Sequence, residues 1–125
     1  MRIGLIGLGR MGGNMVTRLT DDGHEVVGYD IDEANLRRAA DRGAEAAGSL
    51  GELVEMLEPP RAVWVMVPHG PPTEQTIAEL LELLAPGDTI VDGANSRYTE
   101  SMAAAERAEE HDVHFLDAGV SGGVW

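Results

Sequence analysis

The chain has 125 residues, no cysteine, and 22 acidic residues against nine basic ones, for a formal net charge of −13. A chain of that length closes around one core that buries roughly 65–70% of its unfolded surface, so residues 1–125 read as a single domain with no room for a second substantial one. The acidic excess repels phosphate backbones and anionic bilayers, which argues against nucleic-acid and membrane partners, and the missing cysteines exclude disulfides and thiolate metal sites.

All nine basic residues are arginine and none is lysine. Any phosphorylated ligand must therefore be held by backbone amides or by a few placed guanidinium groups. No signal peptide is visible, and the apolar run at residues 3–8 is too short to span a bilayer. A cytoplasmic protein is expected.

In chain order, residues 2–6 read as an apolar strand that runs into glycines. From residue 10 to about 22, Met11, Met15, Val16 and Leu19 recur at helical spacing, and Gly23 supplies a stop. Residues 24–30 form a second strand ending on Asp30. Asp32 is placed to cap a helix that reaches residue 43, and a brief strand follows at 44–47. Ser49 with Glu52 makes a capping box for a helix over 50–58, ended by Pro59 and Pro60. The continuous apolar run 62–67 predicts a strand buried on both faces, and the prolines of 68–72 predict a rigid turn. A helix over 73–84 carries Ile77, Leu80, Leu81 and Leu84 on one stripe. Then come a strand at 89–92, a helix over 99–110 and a last strand within 113–119. Strand and helix alternate throughout with short links, which calls for an α/β fold: a doubly wound, mostly parallel sheet flanked by helices, of the Rossmann type. There is no internal repeat, low-complexity segment or linker.

Between the first strand and first helix, Gly7, Gly9 and Gly12 have G-x-G-x-x-G spacing. Such glycines permit a tight turn, close approach of a diphosphate and close helix packing, and the helix N-terminus offers its amides to the phosphates. The bland alternative is a turn that needs glycine only for itself. Asp30, at the end of the second strand, is placed to accept hydrogen bonds from a ribose and to repel a 2′-phosphate. No basic residue follows it before Arg37, so NAD is favoured over NADP. Flavin and S-adenosylmethionine domains use related loops and stay open. In a doubly wound sheet the ligand lies beyond the carboxyl ends of the strands, so the loops at 67–70, 92–96 and 119–123 are expected to converge on the nicotinamide end of the cofactor. Asn95 suits a carboxamide or a substrate hydroxyl, with turn formation as its competing role.

Taken together, "IGLGRMG", "DGANSRY" and "GVSGG" resemble the N-terminal domain of 6-phosphogluconate dehydrogenase, within the β-hydroxyacid dehydrogenase family. The similarity covers essentially the whole chain, and Asn95-Ser96 favours the sugar-acid branch over the 3-hydroxyisobutyrate branch, which usually reads Asp-x-Ser-Thr there. The resemblance implies that Gly7, Leu8, Gly9, Arg10, Met11 and Gly12 hold the diphosphate. It also implies that Val67, Pro68 and His69 line the nicotinamide half and that Asn95 touches both cofactor and substrate. Ser121, Gly122 and Gly123 would contact the substrate, a phosphorylated sugar acid. Two departures stand out. Asp30-Ile31 replaces the Asn-Arg of NADP-using members, in line with NAD, and Val67-Pro68-His69 replaces their Val-Lys-Ala.

In that family the sugar acid is oxidised and decarboxylated to ribulose 5-phosphate, with a lysine of a following helical domain as general acid and base. This chain has no lysine, so no catalytic residue is assigned within it; alone it is expected to bind cofactor without turnover, with homo-oligomers built by the helical domain. Two alternatives stay open: another β-hydroxyacid dehydrogenase or imine reductase, and a non-catalytic NAD-binding module. No metal site is expected, because His111 and His114 straddle an element boundary without a third ligand. His24 belongs to a turn, Arg10 and Arg97 read chiefly as surface arginines, and Trp64 reads as core.

Overall fold

Apolar segments of four or five residues joined by helices cannot pair as hairpins, and the chain solves this with helical crossovers that return each strand parallel to its neighbour. The computed structural model describes residues 2–67, 71–93 and 98–117. Its elements are β1 (Arg2–Ile6), α1 (Arg10–Asp21), β2 (Glu25–Tyr29), α2 (Glu33–Asp41), β3 (Glu45–Ala46), α3 (Leu50–Glu55), β4 (Ala62–Val65), α4 (Pro71–Leu83), β5 (Thr89–Asp92), α5 (Tyr98–Glu110) and β6 (His114–Asp117). The six strands form one parallel sheet in the order β3-β2-β1-β4-β5-β6, the doubly wound Rossmann arrangement. Strand order reverses between β1 and β4, and in sheets of this kind ligands bind at the carboxyl ends of the strands beside that switch point.

Alternation along the strands divides the core in two. On one face Ile6, Val27, Val63, Val65 and Ile90 pack under α3, α4 and α5. On the other, Leu5 and Val26 pack under α1 and α2, with Trp64 and Met66 at the margin. The four-residue stripe of α4 is buried as expected. Burial of β4 on both faces is only partial: Val63 and Val65 are fully buried, whereas Trp64 is half-buried because α1 and α2 cover the β1 and β2 side of that face. Leu116, in register beyond Val91 on the same row, is 58% exposed.

Helix ends follow local chemistry. Gly23 takes φ +88, its N–H bonds Thr20 O, and His24 N–H bonds Leu19 O, closing α1 in a Schellman-like turn. Asp32 caps α2 through Ala34 N–H at 2.9 Å, and Ser49 caps α3 through Glu52 N–H at 3.1 Å.

Two expectations need correction. The helix expected over 50–58 stops at Glu55, because Arg61 Nε donates to the Val54 and Leu57 carbonyls and ties the chain end down. Of the rigid turn expected at 68–72, residues 68–70 lie outside the described residues, and Pro71 and Pro72 open α4 instead, since proline fits the first helical turn, where no N–H partner is required. Among the described residues no helix is long and apolar enough to cross a membrane.

Candidate functional site

Three chain segments leave the sheet side by side at the switch point. Gly7 N–H bonds Tyr29 O at 3.0 Å, Met66 N–H bonds Ile6 O at 2.7 Å, and Gly93 N–H bonds Val65 O at 2.9 Å. Each loop thus starts as a continuation of the ladder, which fixes its first residue rigidly.

The glycine loop is shaped by two contacts that leave no space for a side chain. Gly7 has φ +90, and a Cβ there would lie 2.7 Å from the Met66 carbonyl carbon. A Cβ on Gly12 would lie 2.0 Å from Gly7 O, so α1 approaches the turn as closely as backbone allows. Gly9 differs from both. Its φ is −67, which any residue adopts, and a Cβ there would meet nothing within 4 Å. Nothing among the described residues requires glycine at position 9. What a side chain there would fill is the open space at the head of α1.

That space faces backbone donors. Unlike α2 and α3, α1 has no side-chain cap, and its first turn carries no acid. Its leading amides and the positive end of its dipole are therefore offered outward, the donor set that a diphosphate requires. Arg10 and Met11 are exposed on this turn, with Met11 68% exposed.

Asp30, at the exit of β2, stands beside the loop. Its Oδ2 accepts Leu8 N–H at 2.8 Å and Asn35 Nδ2 at 3.1 Å, and its Oδ1 accepts Asp32 N–H at 2.8 Å. The carboxylate thereby ties the glycine loop to the start of α2. Leu8 contributes in two directions: its amide is committed to Asp30, while its side chain is buried against Gly28, where a Cβ would lie 3.1 Å from Leu8 Cδ1. Arg38 donates to Asn35 Oδ1 and so reaches Asp30 only through that amide.

The family described as the NAD binding domain of 6-phosphogluconate dehydrogenase matches residues 2–125. The chain belongs to this family. It is 44% identical over 123 residues to the NAD(+)-dependent, decarboxylating 6-phosphogluconate dehydrogenase of Haloferax volcanii, covering 98% of this chain and 40% of that protein. Among solved structures, the 3-hydroxyisobutyrate dehydrogenase of Mycobacterium tuberculosis with L-serine superposes with a TM-score of 0.86 at 28% identity, over 93% of this chain and 39% of that one. The 6-phosphogluconate dehydrogenase of Plasmodium falciparum, whose structures include complexes with NADP+ and with 6-phosphogluconate, gives 0.82 at 29% identity, over 92% and 26%. The chain thus spans less than half the length of these relatives.

Within this NAD-binding domain, Gly7, Leu8, Gly9, Arg10, Met11, Gly12 and Asp30 come together at the switch point, and the half-buried Val67, two residues past β4, lies beside Gly7. Pro68, His69, Asn95, Ser121, Gly122 and Gly123 lie outside the described residues, as does Arg97. His111 and His114 are both exposed, and no group of three or more metal-ligating side chains assembles among the described residues.

Two residues of the site carry no sequence signal. Met66 abuts Gly7 through its carbonyl, and its Sδ would lie 2.3 Å from a Cβ on Gly93, so one methionine spaces two loops. Asn35 buttresses Asp30 from a helix whose polar face reads as solvent-facing.

Proposed function

We propose that this chain is the cofactor domain of an NAD-dependent, decarboxylating 6-phosphogluconate dehydrogenase, acting in the cytoplasm with a phosphorylated sugar acid as substrate. The observation that carries the reading is the pairing of an open notch at Gly9 with a carboxylate at Asp30 whose nearest donors are neutral. The notch and the uncapped α1 amides hold the diphosphate. Asp30 accepts a hydroxyl of the adenosine ribose and turns away a 2′-phosphate by charge repulsion. When bound, NAD supplies the hydride acceptor for the sugar-acid alcohol carbon.

Beyond the glycine loop, Val67, Pro68 and His69 line the nicotinamide half, Asn95 bridges cofactor and substrate, and Ser121, Gly122 and Gly123 approach the sugar acid. Arg10 and Met11 flank the diphosphate. The domain spans residues 1–125, and the general acid and base, a lysine in the family, is supplied by a helical domain that also builds a homo-oligomer. The relative that shares 44% identity is named NAD(+)-dependent and decarboxylating, which supports this assignment over the NADP-using branch. A second reading, a 3-hydroxyisobutyrate-type β-hydroxyacid dehydrogenase, is favoured by the TM-score of 0.86.

Calorimetric titration of the chain with NAD and with NADP tests the cofactor assignment. NAD binding at least about tenfold tighter than NADP is expected, the equivalent of about 1.4 kcal/mol. Equal or tighter capture of NADP overturns it. Turnover of 6-phosphogluconate against 3-hydroxyisobutyrate by the full-length protein decides between the two substrate readings.

A further inference from the structure

We infer that Asn35 is a positioning residue for cofactor selection: it fixes the orientation of the Asp30 carboxylate and keeps the Arg38 guanidinium engaged away from it. This rests on the NAD reading of the Asp30 site. Asn35 lies on α2, half-buried, between one group that only accepts and one that only donates. Asp30 Oδ2 can take nothing but a donor, so Nδ2 faces it; Arg38 offers nothing but donors, so Oδ1 faces the guanidinium. The two neighbours together leave the amide a single orientation.

The consequence for Asp30 lies in its acceptor capacity. A carboxylate presents about four lone-pair directions. Leu8 N–H and Asn35 Nδ2 take both on Oδ2, and Asp32 N–H takes one on Oδ1. Among the described residues one direction on Oδ1 stays open, and a single ribose hydroxyl completes the set. Without Asn35, the Leu8 amide on Oδ2 and the Asp32 amide on Oδ1 remain, but the carboxylate loses one of its three donors and with it the side-chain constraint on its tilt, so the hydroxyl meets a less firmly aimed acceptor.

Arg38 matters because it is a cation one side chain away from the Asp30 carboxylate. It is the cation linked to Asp30 through a single side chain, yet it reaches that carboxylate only by way of Asn35 Oδ1. While that contact holds, the guanidinium is directed at α2 itself and not at the space where a 2′-phosphate would stand. Asn35 thus favours NAD twice: by aiming the acceptor and by occupying the cation.

The test compares Asn35→Ala, Asp30→Ala and the double variant, each titrated with NAD and with NADP alongside a thermal melt. Loss of a hydrogen bond to a charged group predicts about tenfold weaker NAD binding for Asn35→Ala. NADP, which gains nothing from Asp30, is expected to bind unchanged or tighter, so the selectivity ratio falls by about the same factor. The double variant is expected to bind NAD no worse than Asp30→Ala alone, since Asn35 acts through that carboxylate. Equal weakening of both cofactors, or losses that add in the double variant, overturns the inference and leaves the NAD reading standing. A native chain that ignores NAD overturns both. If a melt shows Asn35→Ala unfolded, Arg38→Gln provides the second route: NAD binding kept and NADP binding unchanged or weaker is expected, and tighter NADP binding overturns the role given to Arg38.

Discussion

Asp30 and Asp88 are each held by three N–H donors, yet they sit at opposite ends of the sheet and in opposite electrostatic surroundings. Asp88, at the amino ends of β4 and β5, is completely buried; its Oδ1 accepts Arg61 N–H at 2.7 Å, and its Oδ2 accepts Ala85 N–H at 2.8 Å and Arg61 Nη1 at 3.1 Å. Arg61 then carries the link onward to the end of α3. Asp30, at the carboxyl end of β2, is half-buried and among the described residues meets only neutral donors directly, two backbone amides and one side-chain amide. A cation completes the first carboxylate and closes the structure around it. Among the described residues no cation touches the second, and one acceptor direction on Oδ1 stays open, the arrangement that the proposed recognition of a ribose hydroxyl calls for. Charge compensation, not the number of donors, is what distinguishes the two carboxylates.

The sharpest way to break that contrast is Asp88→Ala. Stranding Arg61 beside a buried gap is expected to destabilise the fold by about 3–5 kcal/mol while leaving the NAD to NADP selectivity of the remaining folded protein unchanged. Urea unfolding with parallel titration checks both halves, and a change in selectivity would show that the two ends are coupled. Asp30→Ala should give the reverse pattern: NAD binding weaker by about 1.5–3 kcal/mol in calorimetry, with a smaller loss of stability than Asp88→Ala because the donors it strands are neutral.

Gly9→Ala sharpens the binding side further. The added methyl meets nothing in the protein, and the lost backbone freedom of the unfolded chain offsets the poorer cap, so stability should move by less than about 1 kcal/mol. Cofactor binding should nevertheless fall at least about tenfold, because the methyl stands where a diphosphate must approach. Unchanged affinity would mean that position 9 does not face the ligand. The smallest effect belongs to Ser49→Ala, which removes the N-terminal cap of α3, at the end of that helix opposite to Arg61; about 1 kcal/mol of stability should be lost in a denaturant titration, with cofactor binding untouched.

Much of this was legible beforehand for reasons that lie within a few residues of one another. The alternation of short apolar runs with periodic helices announced a parallel sheet, and Asp32 and Ser49 announced helix starts, because capping is settled by the residue and the amides two or three positions on. The Gly7, Gly9, Gly12 spacing with Asp30 at a strand end pointed to the candidate site for the same reason. What escaped was decided by partners far away in sequence. The early end of α3 follows from Arg61, and the half-exposed Trp64 follows from where α1 and α2 lie over the sheet. Nor could α4 starting on two prolines be separated from a turn by composition alone, since both conformations accept proline's fixed φ.

By itself, then, the sequence determined the class of sheet, the helix caps, the glycine turn and the sign of the charge at Asp30, all of them set by local stereochemistry or by the residue's own chemistry. Only the tertiary structure decided which glycine is empty for a ligand and which are crowded by the chain, that Met66 spaces Gly7 from Gly93, and that Asn35 stands between Asp30 and Arg38. Strand order brings these groups together across the switch point, and a contact between segments separated in the chain has no signature in either segment alone.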